Sequence, residues 1–497
     1  SADLIARESF DGVIHLGGLQ SALEVTQAIL ATAQTPRLVF TTHGIDESKL
    51  SGFVRVADIE HPALRTTCID LDTTDVRAIA RELIATDGEQ DVAYRNGVRH
   101  VARLTRRSEY ADNTAQPIRF EGTQLVTGGL GGLGIKLAEW LIAHGSRDVV
   151  LNSRHLPADF VAGQHIRVVT GDIAREDDAR RIIDAWGPML RGVFHAAGVL
   201  DDGALVQQSW PRFETVLAAK VSGTRNLDRF TRHLALDHFV LFSSSASLLG
   251  SPGQANHAAA NSFLDAFAIA RRNAGLPALS VNWGAWGEVG AALRSDAVRE
   301  QSGRRGVLLM DPAACLDAFE ALLQRDIARA VVMRVDWNTF AAQFAGGAIP
   351  RFLDDVCATP PTIAAAPAVD ARIAITAPVD SRERLFETVT QHASQVLGLA
   401  AHDLLPPSLP LTELGLDSLM AVELRNALAR ALGQPLPATL LFDYPSADAL
   451  TRFLASEILK FDAPPQSATT LDEMSADELA ALLDQELAAI PQPRMTP

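Results

Sequence analysis

The stretch that decides the fold is QLVTGGLGGLGIKLAEWLIAHG, which runs from Gln124 to Gly145. It reads as an apolar strand, a glycine-rich turn and a helix in immediate succession. Gly129, Gly131 and Gly134 satisfy the spacing G-x-G-x-x-G, in which glycines let the backbone approach a pyrophosphate at a helix N-terminus. Because strand, turn and helix all agree with the motif, the stretch predicts a dinucleotide-binding α/β domain.

The next strand indicates which dinucleotide is bound. The run DVVLNSR ends at Ser153 and Arg154, where a dehydrogenase that prefers NAD would usually place an acidic residue. An arginine there can pair with a 2′-phosphate, so we expect NADPH as the cofactor. The alternative is a solvated loop arginine. Asp172, farther along the same domain, is a further expected cofactor contact.

Composition limits the classes to which the chain can belong. At 497 residues it is too long for one core and should hold roughly two to four domains. Three scattered cysteines make neither a disulfide framework nor a zinc site, so we expect a reducing, cytoplasmic location and no metal. The net charge of −16 argues against nucleic acid as a partner. No apolar run of about 18 residues is available to span a membrane.

The pattern divides the chain into five segments. Residues 1–120 alternate strand-like and helix-like runs, which is typical of α/β layering, but they lack a glycine fingerprint. Residues 121–356 contain the dinucleotide-binding pattern. Residues 357–380, rich in Ala and Pro, are expected to form a linker. Residues 381–461 are expected to form a compact helical unit, and residues 462–497 a second linker and one amphipathic helix.

The helical unit contains the sequence Leu-Gly-Leu-Asp-Ser-Leu, from Leu414 to Leu419. It resembles the acyl carrier proteins of modular polyketide synthases, whose Gly-x-Asp-Ser-Leu serine carries a phosphopantetheine arm. The stretch LPATLLFDYPS follows where such carriers have it. The resemblance implies an all-α, four-helix carrier domain with 4′-phosphopantetheine attached to Ser418. Asp417 and Ser418 are also ordinary residues for the start of a helix, which is the alternative.

Motifs downstream of the glycine turn point to one family of reductases. They are HAAGVLDDG, AAKVSGTRNL, FSSSASLLGSPGQANHAAANSFLDA and VNWGAWGEVG. With the glycine turn they resemble the ketoreductase domain of type I polyketide synthases, a relative of short-chain dehydrogenases, from Gln124 to about Phe344. The resemblance implies a Rossmann-like catalytic half, preceded in residues 1–120 by part of a non-catalytic structural half. The chain is then expected to be a fragment or the end of a longer polypeptide.

The resemblance also assigns catalytic groups residue by residue. The family's lysine falls on Lys220, its serine on Ser244 and its asparagine on Asn261. Its proton-donating tyrosine falls on His257, 13 positions after the serine and four before the asparagine. A histidine ring reaches about 2 Å less far than a tyrosine hydroxyl, so a bridging water can be required. Lys220 should also lower the pKa of His257. The alternative is a silent reductase kept for its shape.

Further positions are expected to govern the substrate and its stereochemistry. Leu200, Asp201 and Asp202 match the Leu-Asp-Asp motif of family members that form the D-configured (3R) hydroxyl. Leu249 lies eight positions before His257, where the opposite class has tryptophan. Trp283, in the VNWG segment, is also expected to contact the substrate.

The last segment, DEMSADELAALLDQELAAI, has a capping box at Ser475 and Glu478 and leucines at helical spacing. A single amphipathic helix cannot bury its apolar face unaided. It is therefore expected to dock on the next polypeptide of an assembly line, or to fold back on the chain.

Together these features predict a polyketide synthase fragment that uses NADPH to reduce a β-ketoacyl thioester on the Ser418 arm. The expected partners are upstream ketosynthase and acyltransferase domains, a phosphopantetheinyl transferase and a downstream synthase polypeptide, within a homodimeric parent. One alternative is a carrier and docking unit whose silent ketoreductase serves as a scaffold. A free-standing dehydrogenase is disfavoured because it would leave Ser418 without a role.

Overall fold

The computed structural model describes residues 10–32, 34–73, 75–107, 117–158, 160–289, 303, 306–342, 349–357, 378–397, 399, 405–414, 416, 418–434, 436–437 and 440–460. The strands in chain order are β1 (Gly12–His15), β2 (Arg37–Thr42), β3 (Thr67–Leu71), β4 (Asp91–Arg95), β5 (Val98–Val101), β6 (Thr123–Thr127), β7 (Val149–Ser153), β8 (Ile166–Thr170), β9 (Leu190–His195), β10 (His238–Ser244), β11 (Leu279–Trp283), β12 (Val307–Leu308), β13 (Arg329–Val332) and β14 (Arg334–Val335).

The α-helices are α1 (Leu19–Leu30), α2 (Gly44–Glu47), α3 (Lys49–Glu60), α4 (Val76–Ile84), α5 (Gly132–Ala143), α6 (Glu176–Asp184), α7 (Trp210–Leu217), α8 (Gly223–Thr231), α9 (Ala246–Leu249), α10 (Ala255–Asn273), α11 (Pro312–Leu323), α12 (Trp337–Ala342), α13 (Pro378–Leu397), α14 (Ser418–Leu432), α15 (Leu440–Asp443) and α16 (Ala447–Phe453). Short π-helical segments cover Ala218–Ser222 and Leu454–Ile458. None of the helices described is both long and apolar enough to cross a bilayer.

The first α/β unit is built on a five-stranded sheet in the order β1-β2-β3-β4-β5. The first four strands are parallel, and β5 pairs antiparallel with β4 through a tight turn. Phe40 on β2 and Phe53 on α3 are fully buried, with ring centroids 6.0 Å apart. The α/β layering predicted from the alternating pattern is therefore confirmed.

The second α/β unit contains a seven-stranded parallel sheet in the order β13-β11-β10-β9-β6-β7-β8. Its central strands are buried on both faces, which explains why they read as nearly continuous apolar runs. Chain order reverses between β6 and β9. In an open parallel sheet, the crevice for a ligand lies at such a reversal, outside the carboxyl ends of the strands.

The two α/β units pack tightly through α3 and α10. A Cβ atom at Gly52 would lie 2.3 Å from the carbonyl oxygen of Ala258, so only glycine allows this approach. The Arg55 guanidinium donates to the carbonyl of Leu248 at 2.7 Å. Residues 349–357 also contact the first unit, where Leu104 donates its backbone N–H to the carbonyl oxygen of Phe352 at 2.8 Å.

The carrier segment forms four α-helices within the described residues, α13 to α16, around an apolar core. Its fully buried members include Leu385, Leu424, Leu428 and Leu450. The first helix begins at Pro378, inside the segment that we expected to be linker. The predicted four-helix carrier is confirmed. The predicted amphipathic helix at the end of the chain lies outside the described residues.

Candidate active site

The cofactor candidates and several of the other predicted site residues follow the carboxyl ends of strands in one sheet. The glycine turn follows β6, Ser153 ends β7 and Asp172 follows β8. The Leu200–Asp202 turn follows β9, whereas Ser244 and Trp283 end β10 and β11. The parallel topology therefore places residues that are up to about 150 positions apart in the sequence along one edge of the sheet.

The glycine turn packs closely against neighbouring atoms of the protein, which leaves no room for side chains at Gly129 or Gly134. A Cβ atom at Gly129 would lie 2.7 Å from the Cβ of Leu151, and one at Gly134 would lie 2.6 Å from the carbonyl oxygen of Gly128. Gly131 is the N-cap of α5 and supplies no side-chain cap, and the first turn of the helix has no acidic residue. The N-terminus of α5 thus keeps its backbone N–H groups and positive dipole for an anion. These residues fit a dinucleotide pyrophosphate.

The other predicted cofactor residues lie on the neighbouring strands. Arg154 is exposed directly after β7 and next to Ser153. Asp172 has a local role: its Oδ1 accepts from the backbone N–H of Ala174 at 3.0 Å and shapes the loop after β8. An exposed guanidinium at the end of the second strand is suited to a phosphate.

Lys220 lies in the π-helical segment between α7 and α8 and is only 6% exposed. Its ammonium donates to the carbonyl oxygen of Phe242 on β10 at 2.8 Å. Burial lowers the pKa of Lys220 to about 8, and the negative charge of Asp265 opposes that shift. Single π-helical turns are frequent at functional sites, and this one aims a buried lysine at β10.

Hydrogen bonds hold the remaining catalytic candidates to the same strand. Ser244 ends β10 two residues after Phe242, and its Oγ accepts from the backbone N–H of Ala246 at 3.2 Å. The Asn261 side-chain amide donates to the carbonyl oxygen of His257, one turn earlier on α10, at 2.8 Å. Ser243 Oγ donates to the carbonyl oxygen of Asn261 at 3.3 Å. β10, α10 and the π-helical turn therefore connect the four predicted residues, Lys220 through Phe242 and His257 through its backbone.

The Leu-Asp-Asp turn is bonded to the start of α10. Arg212 pairs with Asp201 at 2.6 Å, and Asn256 donates its amide to the carbonyl oxygen of Asp201 at 2.8 Å. Asn256 Oδ1 in turn accepts from the backbone N–H of His257 at 2.7 Å. The turn is therefore coupled to the backbone of His257 through one side chain.

Sequence reasoning missed Arg212 and Asn256. Asn256 could have been identified from the sequence because it directly precedes His257 in the recognised motif. Arg212 is 11 residues from Asp201, beyond any local turn pattern, so only the fold could place it there.

A buried polar network underlies the site, and its centre, Asp265, was also missed. Its carboxylate is 3% exposed and accepts from Ser247 Oγ at 2.9 Å, Ser280 Oγ at 2.6 Å and Asn282 Nδ2 at 2.7 Å. A buried charge that is this fully hydrogen-bonded is a stable feature of the core. It lies one helical turn after Asn261 and two after His257, so the signal in sequence was an acid on the same helix face as the two candidate residues.

The remaining stereocontrol candidates have mainly packing contacts. Leu200 is partly buried in the turn after β9. Leu249 ends α9 and packs against an apolar cluster that includes Leu104 and Phe352. Trp283 is 5% exposed, with its ring centroid 5.1 Å from that of Trp286, and its neighbour across the sheet is Ser244.

The carrier site lies at the first residue of α14. Ser418 begins that helix, and the preceding Leu416 is buried in the carrier core. Gly415 and Asp417 lie outside the described residues. No cluster of three or more potential metal ligands occurs among the residues that the structure describes.

Comparison with known families gives three matches along the chain. Residues 11–104 match the Rossmann fold domain of the polyketide synthase extender module SpnB, and residues 122–288 match the KR domain. Residues 387–454 match the phosphopantetheine attachment site. The fold and the matched site together define a Rossmann-type reductase followed by a phosphopantetheine carrier.

Individual relatives give a more specific class. A solved structure of A-type ketoreductases from a modular polyketide synthase is 32% identical, with a TM-score of 0.65, and the match covers 71% of this chain and 84% of that one. The first ketoreductase of the tylosin polyketide synthase is 33% identical, with a TM-score of 0.63, over 71% of this chain and 84% of that one. The chain belongs to the ketoreductase and carrier region of modular polyketide synthases.

Longer relatives extend the similarity over both domains. Polyketide synthase GfsA of Streptomyces halstedii is 35% identical over 472 residues, which cover 89% of this chain and 6% of that protein. Spectinabilin polyketide synthase system protein NorA′ of Streptomyces orinoci is 36% identical over 480 residues, which cover 90% of this chain and 13% of that protein. The chain therefore spans only a small part of the length of these relatives.

Proposed function

We propose that the chain reduces a β-ketoacyl thioester, carried on the phosphopantetheine arm of Ser418, to the β-hydroxyacyl thioester with NADPH. The observation that carries this proposal is the assembly of Lys220, Ser244, His257 and Asn261 around β10, beside the glycine turn. An active reductase needs all of these parts within reach of one carbonyl.

The cofactor supplies the hydride when it is bound along the strand ends. Gly129, Gly131 and Gly134 hold its pyrophosphate at the N-terminus of α5. Arg154 selects NADPH by pairing with the 2′-phosphate, and Ser153 and Asp172 complete the rim of the cofactor site.

The chain's own residues handle the proton and the carbonyl. Ser244 donates a hydrogen bond to the substrate carbonyl, and His257 delivers the proton to the developing alkoxide. Because the ring of His257 is short, a water carries the proton over the last step. Among the described residues, Asn261 Oδ1 is buried without a donor, which supports a water held there beside His257. The Lys220 ammonium stabilises negative charge as it forms.

Stereochemistry follows from the turn after β9. We assign the D-configured (3R) product to Leu200, Asp201 and Asp202, with Leu249 at the position where the opposite class has tryptophan. The bonds from Arg212 and Asn256 to Asp201 support this assignment, because they fix the turn relative to His257.

The cellular setting is that of an assembly line in the cytoplasm. A phosphopantetheinyl transferase loads Ser418, and ketosynthase and acyltransferase domains of the same homodimeric synthase supply the β-ketoacyl chain. The segment Leu471–Pro497 docks on the next polypeptide. Removing it should leave loading and reduction intact and abolish transfer to the downstream module.

A second candidate is a scaffold role, and the observation that favours it is His257 itself in the place of the usual tyrosine. One experiment separates the two functions. The chain is mixed with NADPH and a diffusible β-ketoacyl thioester, and NADPH absorbance is followed. Turnover supports the reductase, whereas intact NADPH binding without turnover supports the scaffold.

A further inference from the structure

The carrier helix α14 contacts the first α/β unit through a buried arginine. Arg425 is 5% exposed, and its guanidinium donates to the carbonyl oxygen of Glu60, the last residue of α3. The same guanidinium lies 3.3 Å from Nδ1 of His61. The neighbouring Asn426 donates its side-chain amide to the carbonyl oxygen of Ile59 at 3.3 Å. Two adjacent carrier residues thus recognise the last carbonyl groups of one helix.

This contact suits the chemistry of a helix C-terminus. The last carbonyl groups of a helix have no partner within it, and the helix dipole makes that end negative. The last turn of α3 has no basic residue of its own, so Arg425 supplies the missing cation. Burial and the charge of Arg425 lower the pKa of His61 to about 3, which keeps its ring neutral and able to accept a hydrogen bond.

The side chain of Glu60 connects this helix end to the active site. It is fully buried, and its two oxygens accept from the backbone N–H groups of Leu205 and Gly253, each at 2.7 Å. Leu205 lies just after the Leu-Asp-Asp turn, and Gly253 lies just before α10, which carries His257. Glu60 therefore contacts the carrier through its backbone carbonyl and binds the loops that contain Leu205 and Gly253 through its side chain.

We propose that the end of α3, residues 59–61, is the docking seat of this chain's own carrier segment, with Arg425 as the anchor and Glu60 as the link to the active-site loops. Ser418 begins the same helix seven residues before Arg425, about 10 Å along its axis. Docking at this seat therefore holds the attachment point of the arm beside the reductase. This proposal rests on the proposed function only in taking the docked arm to carry the β-ketoacyl substrate.

The kinetic test compares two substrates of the full-length chain. In Arg425→Ala, reduction of a β-ketoacyl chain on the Ser418 arm should slow roughly tenfold or more, because a buried charged contact is lost. Reduction of a diffusible β-ketoacyl thioester should stay within about twofold of the wild-type rate. The matched control is Arg452→Ala, since Arg452 lies on carrier helix α16 with its side chain 75% exposed. It should leave both rates unchanged.

Glu60→Gln tests the link separately. The new amide places a donor against the N–H of Leu205 or Gly253, so turnover of both substrates should fall, while the backbone carbonyl still receives Arg425. Unchanged turnover of the diffusible substrate in Glu60→Gln would refute the link. Equal rates for wild type and Arg425→Ala on the arm-bound substrate would refute the seat.

Hydrogen exchange separates docking from catalysis. Residues 56–66 should take up deuterium faster in Arg425→Ala than in wild type or Arg452→Ala, whether or not the reductase turns over. If Arg425→Ala disrupts the carrier fold, seen as lost loading at Ser418, Asn426→Ala provides the milder variant with the same expected exchange. Unchanged exchange at residues 56–66 in a folded variant would overturn the proposal.

Discussion

The buried ammonium of Lys220 donates to the backbone carbonyl of Phe242 at 2.8 Å, two residues before Ser244 on the same strand. This bond holds the lysine against the strand end that carries Ser244. Burial disfavours the charged form and lowers the lysine pKa to about 8, even though Asp265 opposes the shift. Lys220 is therefore charged at neutral pH and loses its proton as pH rises through about 8.

The first prediction concerns pH. If the imidazolium of His257 donates the proton, turnover should fall as the ring loses its proton, at a lower pH than the step near pH 8 at which Lys220 loses its charge. A fall in turnover only near pH 8 would instead indicate that His257 is neutral and orients a water molecule. The charge that turnover requires would then be the Lys220 ammonium. Initial rates at saturating NADPH measure this. Lys220→Arg, which keeps its charge, should remove only the step near pH 8.

The sequence was sufficient to predict the local elements that carry the candidate site residues. The glycine turn, the strand ends at Ser153 and Ser244, and the start of α14 at Ser418 each follow from a short motif in a clear structural context. What it could not show depends on contacts between distant segments. Glu60 is 145 residues from Leu205 and 193 from Gly253, and no local pattern marks it as their partner.

The second prediction concerns cofactor choice. Arg154→Ala should weaken NADPH binding by roughly tenfold to a hundredfold and leave NADH binding unchanged, because a charge-assisted bond to the 2′-phosphate contributes about 1.5–3 kcal/mol. Titration of each cofactor measures this. The matched control is Arg147→Ala, since Arg147 is exposed at the opposite end of β7. Equal weakening for both cofactors would limit Arg154 to a structural role.

The third prediction concerns the carrier. Incubation with a phosphopantetheinyl transferase and coenzyme A should add the mass of one arm to the chain, because Ser418 begins α14 within the matched attachment domain. Ser418→Ala should abolish the addition. Intact-protein mass spectrometry measures it, and the same mass gain in the variant would disprove the assignment.

The fourth prediction concerns the contact between the two α/β units. Gly52→Ala should destabilise the protein by about 1–3 kcal/mol, because the new methyl group would overlap the backbone of Ala258 on α10. The same strain should reduce turnover, since α10 carries His257. Calorimetry and initial rates measure both effects. The control is Gly163→Ala, where the nearest atom would lie 3.6 Å away. Equal melting curves for the two variants would contradict the packing argument.

Tertiary packing also explains why the extent of the units was harder to predict than their cores. Phe352 and its neighbours return to pack beside Leu104, so the end of the catalytic segment joins the first unit rather than leading directly into a linker. Composition alone does not reveal such a return. The apolar positions of residues 349–357 become meaningful only once a distant partner is known.

We propose that His257 works in the place of the usual tyrosine, and reduction of the substrate on its own carrier tests this. Ser418 is loaded with a β-ketoacyl arm, NADPH is added, and the mass of the arm is read over time. We expect a gain of two hydrogen atoms in wild type and a rate about 10²–10⁴-fold lower in His257→Phe, with NADPH binding intact. No gain in wild type, together with rapid reduction in His257→Tyr, would show that the reductase is silenced and that His257 does not replace the tyrosine.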